Sequence, residues 1–182
     1  MKGIILLANH FEDVEALITI DILRRANITI DLVSVVEKLE LNTQSNITIK
    51  AEKLYEDISL NDYDFLIIPG GKAVFETHLD SHKTKEAVDY FYSKNKLIAS
   101  ICAAPGVLGK YGYLDNIEYV CFPSCEEFMP KGILMKEKRV VVSNNIITSK
   151  AAGTTFDFAY EIVKYLTSEE NANKVINSVY YR

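Results

Sequence analysis

The stretch LIASICAAPG, residues 97–106, decides how this chain folds. Leu97 to Ile101 carry neither charge nor polar alternation, which suits a strand covered on both faces within a parallel sheet. The run then meets Cys102, with Ser100 two positions before it and Ala104 two after. A sharp strand-to-helix elbow demands small side chains there, because the strand and helix backbones approach closely. This is the steric logic of the G-x-S-x-G nucleophile elbow, with Cys as the nucleophile and Ser and Ala in place of Gly. Such an elbow sets the sulfur at a helix N-terminus, on the carboxyl edge of the sheet where ligands of open α/β folds gather. Helix dipole and free N–H groups there favour the thiolate, so the expectation is a pKa below the roughly 8.5 of a free cysteine. A small buried core cysteine is the competing reading of the same residues.

Working outward, three further runs share the unbroken apolar character: GIILLA (3–8), IDLVSVV (30–36) and DFLIIPG (64–70). Helical spacing lies between them. Over 13–26, Val14, Leu17, Ile18, Ile22 and Leu23 fall on one side, and Asn27 is placed to end the helix in a left-handed conformation. Over 83–94, Ala87, Val88, Phe91 and Tyr92 repeat the pattern. Strand and helix in alternation predict a doubly wound, flavodoxin-like α/β fold, its mostly parallel sheet covered by helices on both faces.

Other segments decorate this frame. NITIKAEKLYEDI (46–58) begins with alternation and reads as a hairpin arm, and RVVVSNNIITS (139–149) as two short strands around an Asn-Asn turn. TTFDFAYEIVKYL (154–166) is amphipathic, with Phe156, Ala159, Ile162, Val163 and Leu166 at core spacing. Thr167-x-x-Glu170 has the form of a capping box opening a last short helix. No linker, repeat or low-complexity tract interrupts residues 1–182, so one domain is expected.

Composition narrows the function classes. Hydrophobic residues make up 48% and charged residues 25%, the balance of an ordinary globular chain rather than a disordered one. The net charge of −5 argues against a nucleic-acid partner. No apolar run approaches the roughly 18–20 residues that span a bilayer. The opening MKGIILLA has too short an apolar stretch, followed at once by His10, Glu12, Asp13 and Glu15, to act as a secretory signal. Three cysteines, Cys102, Cys121 and Cys125, do not form a secreted disulfide framework. The expected setting is cytoplasmic, with reduced thiols.

Two segments join the elbow as candidate site builders. In IIPGG (67–71), glycines after a strand let backbone N–H groups point into a site, so Gly71 and Ala103 N–H groups are a candidate oxyanion hole, against the alternative of an ordinary tight turn. In FEDVEA (11–16), Glu12, Asp13 and Glu15 crowd a helix start, which dipole complementation alone explains. One of Glu12 and Glu15 is also placed to turn back towards Cys102, where a carboxyl beside a thiolate is held protonated because like charges resist ionising together.

FEDVE after the first strand, then PGG, then SICAAPG, then SKAAGTTFDFA resembles the ThiJ/PfpI superfamily, and most closely its DJ-1 branch, over roughly residues 2–178. The PfpI protease branch places His directly after the nucleophilic Cys; Ala103 stands here. The resemblance implies one domain of class I glutamine amidotransferase-like type, with Cys102 as the reactive thiol and Glu15 as its buried carboxyl partner ahead of Glu12. It also implies oxyanion donors at Gly71 and Ala103 beside Gly70, with Thr154 and Gly153 lining the pocket's outer side. It implies a homodimer without cofactor or metal. Its substrates are small carbonyl compounds, either methylglyoxal converted to lactate without glutathione or early glycation adducts. The alternative is a stress sensor or chaperone whose Cys102 is oxidised to sulfinate, and a peptidase stands third.

The chain departs from that pattern where the branch commonly has a His before a Pro: in VCFPSC (120–125) Phe122 holds the position. Phe can neither accept nor relay a proton. His10, at the end of the first strand, is the available substitute base, although a solvent-facing loop position explains it as well. An Arg that reaches the site from the partner subunit in relatives is also missing, with Gln44, Ser45 and Asn46 in that stretch. His78 and His82 have i,i+4 spacing, but no third ligand accompanies them and a solvated helix face is expected. Cys121 and Cys125 lack a second pair for zinc, and Cys121 is placed on the same sheet edge as Cys102.

Overall fold

The computed structural model describes residues 1–181. In chain order the elements are β1 (Lys2–Leu7), α1 (Asp13–Arg25), β2 (Thr29–Ser34), β3 (Glu40–Asn42), β4 (Thr48–Lys50), β5 (Lys53–Leu54) and β6 (Phe65–Ile68). A π-helical turn, Val74–His78, precedes α2 (His82–Ser93), β7 (Leu97–Ile101) and α3 (Pro105–Lys110). Then come β8 (Glu118–Tyr119), β9 (Ile133–Leu134), β10 (Val140–Ser143), β11 (Ile146–Ser149), α4 (Thr155–Leu166) and α5 (Glu169–Ser178).

The unbroken apolar runs became the centre of a seven-stranded sheet ordered β10-β11-β7-β6-β1-β2-β5. All its pairings are parallel except β10 with β11. Every residue of β6 and β7, and all of β1 but Lys2, is buried or nearly so. That explains the absence of polar alternation, since each fully buried Ile or Leu contributes about 1.5–3 kcal/mol relative to exposure. Helices α1, α4 and α5 pack together, with α4 over β11, β10 and β7, while α2 packs on β6 and β7. This is the expected single α/β domain. Strand order reverses at β1, which lies between β2 and β6, so the switch point opens beside the carboxyl ends of β1 and β6.

The hairpins follow their turn residues. Asn144 adopts φ 54° between β10 and β11, and Asn27 adopts φ 58° after α1, as the sequence predicted for both. Residues 46–58 supply the expected hairpin arm, β4, whose partner β3 is three residues too short to announce itself.

Several side chains fall elsewhere than their spacing indicates. In α1 the buried face is Glu15, Ala16, Thr19, Ile20, Ile22 and Leu23, while Val14 and Leu17 are 40% and 37% exposed. Tyr92 of α2 is exposed and Thr84 is buried in its place. In α4 Phe158, not Phe156, is the fully buried aromatic. The last helix is capped by Ser168, whose hydroxyl accepts from Asn171 N–H; Thr167 instead donates to the Val163 carbonyl at 2.7 Å. The expected capping box does not form; a simple N-cap one residue later replaces it, because Thr167 still belongs to the end of α4.

Candidate functional site

The site begins with a backbone conformation. Cys102 follows β7 with φ 66°, a left-handed geometry that costs a non-glycine residue about 1–2 kcal/mol. Neighbours hold it there: its N–H donates to the Ser149 carbonyl at 2.9 Å, and its carbonyl accepts from Phe122 N–H at 2.8 Å. The chain then turns into α3 at Pro105. This is the expected elbow, and it leaves Cys102 partly exposed rather than sealed in the core.

The glycines after β6 come next. A Cβ on Gly70 would lie 2.6 Å from both the Cys102 Cβ and Glu15 Oε2, so only glycine lets the three segments meet. Gly71 has φ 89°, pairs with Phe11 across a β-bridge, and directs its N–H to the Cys102 sulfur. Ala103 N–H is the second donor to that sulfur. The two proposed oxyanion donors therefore converge on one atom.

Of the two candidate carboxyls, Glu15 is the one at the sulfur. It is fully buried on α1, its Oε2 accepts from Gly70 N–H at 2.8 Å, and the Cys102 side chain lies within its hydrogen-bonding reach. Glu15 Oε1 receives no N–H or O–H. A buried carboxylate with one oxygen lacking a donor is costly, and taking up a proton removes the buried charge. Burial accordingly pushes the Glu15 carboxyl up to about 7 from 4.5, with the Glu12 charge adding to it and the Gly70 and Cys102 hydrogen bonds opposing.

The expected lowering of the thiol is not what these surroundings produce. Burial first, then the Glu15 charge and the hydrogen bond to it, raise the Cys102 thiol, while the Ala103 and Gly71 N–H groups pull it down. Helix α3 is only six residues long, too short for a strong dipole. Both contributions from Glu15 belong to its ionised form. When Glu15 holds the proton they disappear, and the two backbone donors face the sulfur alone. Cys102 and Glu15 thus share protons as one pair.

Glu12 caps α1, lines the cavity above the sulfur and takes a 2.7 Å hydrogen bond from Gln44 Nε2. Burial, then Asp13, raises its carboxyl. Gln44 Oε1 also accepts from Lys72 N–H at 2.9 Å. The side chain standing where an arginine was missed therefore reaches the site itself. The cavity holds about 500 Å³, and Phe75, Phe122, Ser124 and Cys125 join Cys102 and Glu15 on its wall.

The other candidates divide. Gly153 lines the cavity beside Ala151 and Ala152. Thr154 does not: it is buried, hydrogen-bonded to Ser149 Oγ at 2.7 Å and to Ala151, so it fastens the lining loop from behind. His10 is half-buried, paired with Glu76 at 2.6 Å, and outside the cavity wall. Phe122 is 45% exposed with its ring on the wall. Cys121 is buried and faces a separate small cavity with Lys136 and Lys150; burial, then Cys125, pushes its thiol up to about 12. His78 is not solvated but fully buried, bonded to Thr84 Oγ1 at 3.0 Å and kept neutral by burial with a pKa of about 4. His82 lies on the exposed start of α2, and no cluster of metal-ligating side chains occurs among the described residues. Among the described residues no helix is long and apolar enough to cross a membrane. Gln44, Lys72, Phe75, Ser124 and Cys125 are lining residues that the motifs did not announce.

The DJ-1/PfpI family profile matches residues 1–165. The chain belongs to the DJ-1/PfpI family. It is 31% identical over 180 residues to protein DJ-1alpha of Drosophila melanogaster, covering 98% of this chain and 83% of that one. Identity to the Parkinson disease protein 7 homolog of Danio rerio is 30% over 177 residues, covering 96% and 94%. Among solved structures, oxidized DJ-1 of Toxoplasma gondii superposes with a TM-score of 0.91 at 31% identity, covering 99% of this chain and 98% of that one. A cysteine-to-alanine mutant of a DJ-1 superfamily protein from Salmonella typhimurium gives 0.93 at 28% identity, covering 100% and 98%. The flavodoxin-like architecture and the DJ-1 branch are thereby established.

Proposed function

We propose that this DJ-1-like protein uses Cys102 as a nucleophile towards small reactive carbonyl compounds, methylglyoxal or early glycation adducts. One observation supports this above the others. A partly exposed thiol on a left-handed elbow is hydrogen-bonded to a buried carboxyl and faces two backbone N–H groups.

The sulfur, having passed its proton to Glu15, attacks the aldehyde carbon. The C–S bond forms and the carbonyl π pair moves to oxygen. The Gly71 and Ala103 N–H groups steady that oxygen as charge develops on it. Glu15 returns its proton to give the neutral hemithioacetal. For methylglyoxal, moving hydrogen from C1 to C2 yields a lactoyl thioester, and water releases lactate and the thiol. The overall change is addition of one water. Glu15 and Glu12 are the cavity's acid–base groups in the absence of a histidine at 122. The peptidase reading loses ground for the same reason.

Incubation with methylglyoxal should yield lactate at a rate abolished by Cys102→Ser. No lactate from the wild type, with peroxide instead adding two oxygens to Cys102, would favour the sensor reading. A homodimer and a cytoplasmic setting belong to the same proposal. Val14 and Leu17 stand exposed on α1, and Leu17 lines a groove with Ile18 and Phe156 that is suited to a second copy. Sedimentation giving a monomer mass would remove the dimer.

A further inference from the structure

Cys125 is a second thiol on the wall of the Cys102 cavity. Its place is fixed by the elbow. Phe122 N–H is tied to the Cys102 carbonyl at 2.8 Å, and Cys125 N–H closes a turn onto the Phe122 carbonyl at 3.0 Å. Ser124, with φ 73°, swings the chain so that the 3₁₀ turn Cys125–Phe128 packs on α3. Phe128 there presses on Gly106. Cys125 thus sits between two anchors on the elbow, one at Cys102 and one at Gly106. Cys121 precedes the first anchor and faces a different cavity.

We propose that Cys125 is the resolving thiol for oxidised Cys102, so that the site passes reversibly through a Cys102–Cys125 disulfide. The oxidant is a hydroperoxide. The Cys102 sulfur attacks the O–O bond and keeps one oxygen as a sulfenic acid, while the other oxygen leaves as water or an alcohol. The Cys125 sulfur then attacks the sulfenic sulfur. The S–S bond forms, the S–O bond breaks, and the hydroxyl departs as water with the proton Cys125 gives up. The two thiols supply two electrons and the peroxide takes them. A thiol reductant reverses the step by exchange. Without Cys125 the sulfenic acid stays open to a second peroxide and proceeds to sulfinate. The disulfide protects the sulfur and withdraws it from carbonyl chemistry until it is reduced.

The full-length protein is treated with hydrogen peroxide in several-fold molar excess, enough to carry an unprotected thiol to sulfinate, blocked with an alkylating agent, digested with trypsin without reduction, and weighed. Peptide 97–110 carries Cys102 and peptide 111–131 carries the other two cysteines. Wild type and Cys121→Ser should both give the two peptides crosslinked, and dithiothreitol should remove the link. Cys125→Ser and Cys125→Ala should lose the crosslink and gain two oxygens on Cys102. A crosslink that persists in both Cys125 variants, or equal Cys102 sulfinate in wild type and both variants, would overturn the proposal. Carbonyl turnover takes no part in this readout, so its outcome is separate from that of the methylglyoxal assay.

Discussion

Replacing Glu15 by Gln tests the proton shared at the site through its effect on folding. Burial holds this carboxyl at about 7 when folded, against 4.5 in an open chain. Between those values the unfolded chain has released a proton that the folded chain still binds. Stability from this group is therefore complete below 4.5 and is lost as pH rises through 7. At about 1.4 kcal/mol per pH unit, the interval amounts to about 3 kcal/mol. His78 acts with the opposite sign over an overlapping range, so the wild-type profile alone does not isolate Glu15. The difference between wild type and Glu15→Gln does. Gln keeps an oxygen for Gly70 N–H and does not titrate. Urea unfolding at pH 4.5 and pH 8 should show the variant gaining on the wild type by about 3 kcal/mol across that span. Parallel profiles, with the gap unchanged within about 1 kcal/mol, would refute a carboxyl that retains its proton near neutrality.

Other consequences can be measured directly. Gly70→Ala places a methyl 2.6 Å from Cys102 and Glu15, and should destabilise by about 1–3 kcal/mol while shifting the pH midpoint of Cys102 alkylation. Phe122→His sets an imidazole on the cavity wall and should raise methylglyoxal turnover about a hundredfold, the lower end of what acid–base catalysis supplies; an unchanged kcat would mean that proton transfer does not limit the reaction. The contribution of His78 to stability should fall as pH drops from 6.5 towards 4, because the folded imidazole resists charging; the gap between wild type and His78→Asn in urea titrations should therefore change by about 3 kcal/mol in the variant's favour over that span, and an unchanged gap would refute a neutral buried His78.

The central strands were legible because burial on both faces leaves no polar positions, and Leu97–Ile101 states this in five residues. The elbow was legible for a steric reason: Ser100, Cys102 and Ala104 are small where two backbones meet. Glu15 was legible only as one of two acids, since spacing places Glu12 and Glu15 on one face but does not say which points under the Gly70 turn. Burial of His78 was hidden, because Thr84, to which it hydrogen-bonds, lies beyond the π-helical turn. The rest of the cavity wall was hidden for a related reason. Gln44 and Cys125 lie 58 residues before and 23 after Cys102, and loop geometry rather than periodicity carries them to it. Thr167 misled because its motif overlaps the last turn of α4, whose Val163 carbonyl claims the hydroxyl first.

The groups that grip the sulfur, Gly71 N–H and Ala103 N–H, belong to the main chain, and the ties that hold Cys102 in its left-handed pose run to the main chain of Ser149 and Phe122. The side chains of Gln44, Lys72, Phe75, Phe122 and Ser124 line the same cavity and have no part in that grip. They are therefore open to wholesale exchange, and a combinatorial library over those five positions would retarget the cavity to new molecules without dismantling its reactive centre.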